Sequence, residues 1–265
     1  MSVNKGKVIL AGAGPGDAEL ITVKLQRCLG EADVIITDRL VNPDIISLNA
    51  KKDAVIVYAG KQGYNDASVS QIEINQLIIE HATEGKVVLR LKGGDVAFFS
   101  NVLDELQTIV ETGIEFEIIP GITAAAGASA YAGIPLTARG FSQGVQLLTF
   151  NPNSYYSSEK WKSLAHNNDT LVFYMAAKNR TDLAELLLRY TRRAQTPLAV
   201  IEQATTVHQQ VHITTLQNCA EDFKSKQFSS PSLVIVGDVV NLHKQFNWFG
   251  SNQATGSVFN ELAIK

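Results

Sequence analysis

Short apolar runs alternate with amphipathic stretches along the first half of the chain. Residues 8–11, 33–37, 55–58, 87–91 and 116–119 read as strands. Nearly unbroken apolar runs of this length suit parallel strands covered on both faces, not the in-out alternation of a half-exposed strand. Between them, Leu20, Leu25 and Leu29 mark the buried face of a helix that Asp17 stands ready to cap. Ile74, Leu77 and Ile78 recur at helical spacing within 70–83, which Gly85 stops, and 103–112 reads as a helix closed by Gly113. Strand–helix alternation predicts a parallel sheet with helices on both sides. Ligands of such sheets bind at the carboxyl ends of the strands. The glycine loops at Gly12, Gly60, Gly93 and Gly121 are therefore expected on one edge.

After Pro135 the pattern changes. Residues 145–149, 170–174, 198–201, 210–214 and 232–236 read as strands, 182–190 as an amphipathic helix, and 151–158 as a polar, turn-rich connection. The expected fold class is α/β with two α/β domains: a parallel-sheet domain over 1–138, a mixed one over 139–250, and a tail over 251–265.

The chain has 265 residues, 45% hydrophobic and 18% charged, an ordinary globular balance. With 23 Lys and Arg against 26 Asp and Glu, the formal charge is −3. No nucleic-acid partner is expected from such a balance, although a local basic cluster can still grip an acidic small molecule. Cys28 and Cys219 lack the spacing of a disulfide framework or zinc site and read as small apolar residues. The N-terminus has no apolar leader region and no window reaches the length of a membrane span, so a soluble, cytoplasmic protein is expected. Of the five histidines only His208 and His212 have a ligand-like spacing, and a strand, not a helix, lies between them, so no metal is expected.

Three loops carry candidate chemistry. Gly12-Ala13-Gly14-Pro15-Gly16-Asp17 follows a strand, and Asp38 stands about 20 residues on, the spacing of a dinucleotide-binding unit. Pro15 argues against that reading because it removes a backbone N–H, the group a pyrophosphate loop uses. Lys92-Gly93-Gly94-Asp95 pairs glycines that let backbone approach a ligand with a carboxylate able to accept from hydroxyls or an amine. Pro120-Gly121-Ile122-Thr123-Ala124 leaves a strand for a helix of small residues, which leaves room for a planar base. Each loop alone also has a reading as a turn shaped only by packing.

Taken in order, these loops resemble the tetrapyrrole methyltransferase family. The likeness continues through Asp38-Arg39-Leu40-Val41, Gly60-Lys61, the Gly-Ile-Pro-Leu-Thr run at 133–137, Arg139-Gly140, the strand ending in Met175, and Ser230-Pro231. It covers nearly the whole chain to Phe249, and the Asp-Arg-Leu-Val and Gly-Lys motifs point to the branch that C-methylates uroporphyrinogen III to precorrin-2, for siroheme or cobalamin biosynthesis. The resemblance implies a homodimer of two-domain chains with S-adenosylmethionine folded in the cleft between the domains. Its implied cofactor contacts are Pro15, Gly93, Gly94, Asp95, Phe98, Thr123, Ala124, Met175 and Ala204. Asp38 and Lys61 match positions with acid/base roles, and Arg39 and Arg139 would face substrate carboxylates.

The chain departs from the family pattern where Val96 follows Asp95, where Asn101 replaces an arginine, and at Thr149-Phe150-Asn151 and Glu202-Gln203-Ala204-Thr205. The cofactor motifs are kept better than the substrate motifs. Three alternatives therefore stay open: methylation of another tetrapyrrole such as a cobalt-containing corrin intermediate, a cofactor-binding protein without turnover, and a nicotinamide-dependent oxidoreductase built on the first loop and Asp38.

Overall fold

The computed structural model describes residues 6–59, 70–152, 156–250 and 256–259. Contacts divide the chain into two compact units, one drawn from Met1–Ala124 and Ser257–Lys265, the other from Ala125–Gly256. The expected boundary at 138/139 thus lies inside the second unit as the contacts divide it. Gln209 and Trp248 donate to the carbonyls of Tyr131 and Ala130, at 3.2 and 2.9 Å, and tie the helix that follows Thr123 to this unit.

The first unit contains β1 (Lys7–Gly12), α1 (Val23–Glu31), β2 (Val34–Thr37), α2 (Pro43–Asn49), β3 (Val55–Tyr58), α3 (Gln71–Thr83), β4 (Val87–Lys92), α4 (Leu103–Thr112) and β5 (Glu115–Ile119). All pairings are parallel, in the order β3-β2-β4-β1-β5. The apolar runs alternate between two cores. Ile9, Ala11, Ile35, Leu89 and Leu91 face Leu25, Leu29, Ile45 and Ile46 of α1 and α2. Val8, Leu10, Val34, Ile36 and Val88 face Ile74, Ile78 and Ile109 of α3 and α4. This is the doubly covered parallel sheet that continuous apolar strands demand.

Local signals set the helix ends. Ser70 and Glu73 form a reciprocal capping box at α3, and Gly113, at φ 65°, turns the chain out of α4 in the left-handed conformation. The expected helix capped by Asp17 divides in two. Asp17 caps a 3-10 turn at Ala18–Leu20, and Thr22 caps α1, its hydroxyl accepting from Leu25 N at 3.1 Å. The unforeseen α2 starts on Asn42 as cap with Pro43 in the first helical turn, where the missing N–H costs no bond.

The second unit contains α5 (Ala124–Ala132, its first residue counted with the first unit), β6 (Val145–Thr149), α6 (Ser158–His166), β7 (Thr170–Tyr174), α7 (Arg180–Arg189), β8 (Pro197–Glu202), β9 (Gln210–Thr215), α8 (Cys219–Asp222), β10 (Ser232–Val236) and α9 (His243–Phe246). Its sheet runs β6-β7-β10-β8-β9. Only β6–β7 is parallel, so this sheet is mixed. Phe150, Trp161, Leu164, Phe173, Leu183 and Leu187 form its core with α6 and α7. The connection expected at 151–158 ends at α6, which Ser157 caps. Of the expected tail, the described part is held: Phe259 is buried and the Gly256 carbonyl accepts from Gln203 at 3.0 Å. Both cysteines are buried and unpaired. Burial raises the Cys28 thiol and pushes Cys219 up to about 11, and both pack in apolar cores as small apolar residues, as read from the sequence.

Candidate active site

The loops after β1, β4 and β5 meet at the carboxyl edge of the first sheet. Gly14 and Gly94 exchange backbone hydrogen bonds, N to O, at 3.0 and 2.8 Å. Gly121 N donates to Asp95 Oδ2 at 2.7 Å, and Ala97 N donates to Oδ1 at 2.8 Å. A Cβ on Gly12 would stand 2.5 Å from the Gly94 carbonyl oxygen and 2.8 Å from Gly121 N. The three backbones therefore cross where no side chain fits. Among the four expected glycine loops, Gly60 lies outside the described residues; the other three share one edge.

This crossing consumes the amides a nucleotide loop would use. Ala13 N donates to Lys92 O and Gly14 N to Gly94 O, and Pro15 has no N–H. The first full helix begins only at Val23. With the Ala13 and Gly14 amides engaged and the first α-helix starting seven residues beyond Gly16, the nicotinamide reading loses its footing.

Asp38 follows β2 on the same edge. Its backbone N donates to Leu91 O at 3.1 Å, and its Oδ1 accepts from Arg90 Nη2 at 2.6 Å. The side chain remains 29% exposed, enough for a ligand to reach the carboxylate. Behind it lies a buried charge chain. Arg90 Nε donates to Glu105 Oε1 at 2.8 Å, and Lys92 Nζ donates to both Glu105 oxygens at 3.0 Å. Burial alone would lower the Arg90 pKa, but Asp38 and Glu105 outweigh it and hold the guanidinium above its ordinary value. The sequence reading passed over Arg90 and Glu105. The available signal was an arginine inside an apolar strand and a glutamate one turn before Ile109 on the buried helix face, since buried charges require partners.

The other expected residues distribute as follows. Pro15, Gly93, Gly94, Asp95, Thr123 and Ala124 stand on the crossing loops of the first sheet, with Arg39 beside Asp38. Phe98 is exposed in the segment after Asp95, where Phe99 and Asn101 take left-handed φ of 54° and 57°. Lys61 lies outside the described residues. Met175 and Ala204 follow β7 and β8, which run the same way on either side of β10, so both sit at one edge of the second sheet. Met175 is 65% exposed and Ala204 only 8%. Arg139 is exposed in the turn bridged by Ala138 and Ser142. The Ser142 hydroxyl accepts from Thr170 N at 3.1 Å, so that turn is rooted where β7 begins, away from Met175 at its end.

Glu202 anchors the loop that carries Ala204. Its Oε1 pairs with His212 Nε2 at 2.6 Å and its Oε2 accepts from Ser229 N. Burial pushes this carboxyl up, but the His212 and Ser229 hydrogen bonds prevail and hold it below its usual 4.5. A depressed carboxylate contributes stability above its unfolded pKa and loses it as pH falls through the folded value. Glu202→Gln is therefore expected to lower the melting temperature at pH 7, with the gap to the parent protein closing below about pH 4. A constant gap from pH 7 to pH 3 in thermal melts contradicts this.

Three comparisons bear on the site. The family model for tetrapyrrole (corrin/porphyrin) methylases matches residues 7–220. Siroheme synthase 1 of Pectobacterium atrosepticum is 42% identical over 251 residues, 95% of this chain and 52% of that protein. The chain thus spans about half the length of the curated relatives it matches. Uroporphyrin-III C-methyltransferase from Thermus thermophilus, in its native form, is 34% identical with a TM-score of 0.74, over 89% of this chain and all of that one. The same enzyme has been solved with S-adenosylhomocysteine, 33% identical over 89% of this chain and 94% of that one, with a TM-score of 0.74. A cobalt precorrin-4 methyltransferase is 25% identical with a TM-score of 0.79, over 88% of this chain and 95% of that one. No helix among the described residues is long and apolar enough to cross a membrane.

Proposed function

The chain belongs to the tetrapyrrole methylases, and from that premise we propose that it is an S-adenosylmethionine-dependent C-methyltransferase converting uroporphyrinogen III to precorrin-2. The observation that carries this reading is the crossing of the β1, β4 and β5 loops beside a reachable carboxylate, in a chain similar over 89% of its length to a uroporphyrin-III C-methyltransferase.

The residues fit the cofactor. A Cβ on Gly94, at φ 70°, would have only Ala124 N within 4 Å, at 3.8 Å, so the loop presents open backbone instead of a packed turn. Ala124, Ala125, Gly127 and Ala128 keep the adjoining helix start small, and Phe98 offers an exposed ring. Pro15, Gly93, Gly94, Asp95, Thr123 and Ala124 are the residues assigned to hold it, with Phe98; Met175 and Ala204 are assigned by the family resemblance alone. Bound there, S-adenosylmethionine supplies an electrophilic methyl group on a sulfonium.

The chain's own residues do the rest. A pyrrole carbon is a stronger nucleophile once its ring N–H is relieved of the proton, and Asp38 is the residue assigned to accept it, on the carboxylate oxygen that Arg90 leaves open. A general base of this kind contributes roughly 10² to 10⁴ in rate. The substrate's acetates and propionates are anions, and Arg39, next in sequence to Asp38, is the guanidinium suited to grip one in a two-point hydrogen bond. Lys61 is the second acid/base candidate by resemblance, and Arg139 a second clamp on the same ground.

The test is calorimetric binding of S-adenosylhomocysteine followed by transfer of labelled methyl from S-adenosylmethionine to uroporphyrinogen III. Micromolar binding and a dimethylated product are expected. Absence of binding overturns the methyltransferase reading. Binding without transfer to uroporphyrinogen III, but with transfer to a cobalt-containing corrin intermediate, shifts the acceptor, the reading that the TM-score of 0.79 to the cobalt precorrin-4 enzyme favours. The same resemblance assigns a cytoplasmic homodimer, and light scattering on the purified chain tests the dimer.

A further inference from the structure

We propose that Arg90 is a positioning residue for Asp38, held in that role by Glu105 and Lys92; this rests on the reading of Asp38 as the base. Arg90 and Lys92 are two residues apart on β4, so both point to the face covered by α3 and α4. Glu105 meets them there from the first turn of α4, fully buried.

The charges of this set decide the assignment. Two cations, Arg90 and Lys92, share one anion, Glu105, in a place closed to water. Lys92 already engages both Glu105 oxygens at 3.0 Å, so Glu105 has its counter-ion without Arg90. The guanidinium charge is therefore left for Asp38, and the group of four is neutral only with the Asp38 carboxylate included. A pair serving only helix–sheet packing needs Lys92 and Glu105 alone.

Geometry supports the same role. The Arg90 fork reaches Asp38 with Nη2, Glu105 with Nε, and the carbonyls of Ile36 and Leu91 with Nη1, both at 3.3 Å. Its planar donors fix the guanidinium on the sheet and thereby fix the Asp38 carboxylate, whose Oδ1 alone is engaged among the described residues. Oδ2 is left to take a proton. Lysine cannot reproduce a fork that spans two carboxylates.

The experiment is a double-mutant cycle of Arg90→Met and Asp38→Asn, with kcat and KM for uroporphyrinogen III and the Kd of S-adenosylhomocysteine. Misplacing the base lowers kcat by about 10²-fold in Arg90→Met, and Kd stays within about threefold. In the Asp38→Asn background the same change costs no more than about threefold, since the group it positions is already disabled. Arg90→Lys keeps the charge without the fork and loses about tenfold, a partial rescue. If Arg90→Met does not fold, Arg90→Lys takes its place in the cycle. Losses that multiply across the cycle, or an Arg90 variant with parental kcat, overturn the inference. An Asp38→Asn enzyme with parental kcat instead removes the base assignment on which it rests.

Discussion

Asparagine at position 38 is expected to lower kcat for methyl transfer to uroporphyrinogen III by roughly 10² to 10⁴-fold, with S-adenosylhomocysteine affinity nearly unchanged. The substitution is close to isosteric. An asparagine Oδ1 still accepts from Arg90 Nη2, at 2.6 Å in the parent, so the side chain stays in place while its charge and its capacity to take a proton disappear. Affinity is spared because the cofactor residues assigned in the first unit lie on the β1, β4 and β5 loops, whereas Asp38 follows β2. The change also leaves Arg90 and Lys92 facing Glu105 as their sole buried anion, so a drop in melting temperature accompanies it. Single-turnover kinetics on folded variant, with calorimetry alongside, separates these effects. Parental kcat in Asp38→Asn rules out a base at this position.

The second large effect is expected at Gly121. A methyl group there points at the carbonyl oxygens of Gly94 and of Gly12, the latter 2.7 Å away. Both obstacles are backbone on neighbouring loops, and neither can rotate aside. Gly121→Ala must push β5 away from β1, breaking the Gly121 N to Asp95 Oδ2 bond and displacing Thr123 and Ala124 just downstream. Overpacking of this kind costs about 1–3 kcal/mol or more in stability. The displaced loop should also weaken S-adenosylhomocysteine binding by about tenfold or more, the equivalent of about 1.4 kcal/mol. Gly30, exposed near the end of α1 with only Asn49 O within 4 Å at 3.8 Å, is the control. Gly30→Ala is expected to stabilise by about 0.5–1 kcal/mol, because alanine loses less backbone freedom on folding. Urea unfolding of both variants decides this. A Gly121→Ala protein as stable as its parent, with full affinity, removes the crossing loops as the cofactor's seat.

Much of this fold could be read from local pattern. The strands at 55–58, 145–149, 170–174 and 232–236 and the helix at 103–112 fall on the expected residues, because apolar runs and a closing glycine are signals carried within a few neighbours. Where local signals competed, the reading slipped. Asp17 and Thr22 are both good caps, and the chain uses each for a different turn. α2 is one of the shorter helices, too short for apolar periodicity to show, and only its Asn42-Pro43 start betrays it.

By itself, the sequence determined the α/β class, the parallel first sheet and the convergence of glycine loops on its carboxyl edge, since strand direction and turn chemistry are local properties that propagate through the rule of parallel sheets. Only the tertiary structure decided that Gly14 and Gly94 spend their amides on each other, that Arg139 is rooted at the far end of β7 from Met175, and that Asp38 leans on Arg90, Glu105 and Lys92. Those partners lie 13 to 80 residues apart in sequence. No periodicity records which buried charge meets which, because that choice follows from how strands and helices pack in space and from the need of every buried ion for a counter-ion.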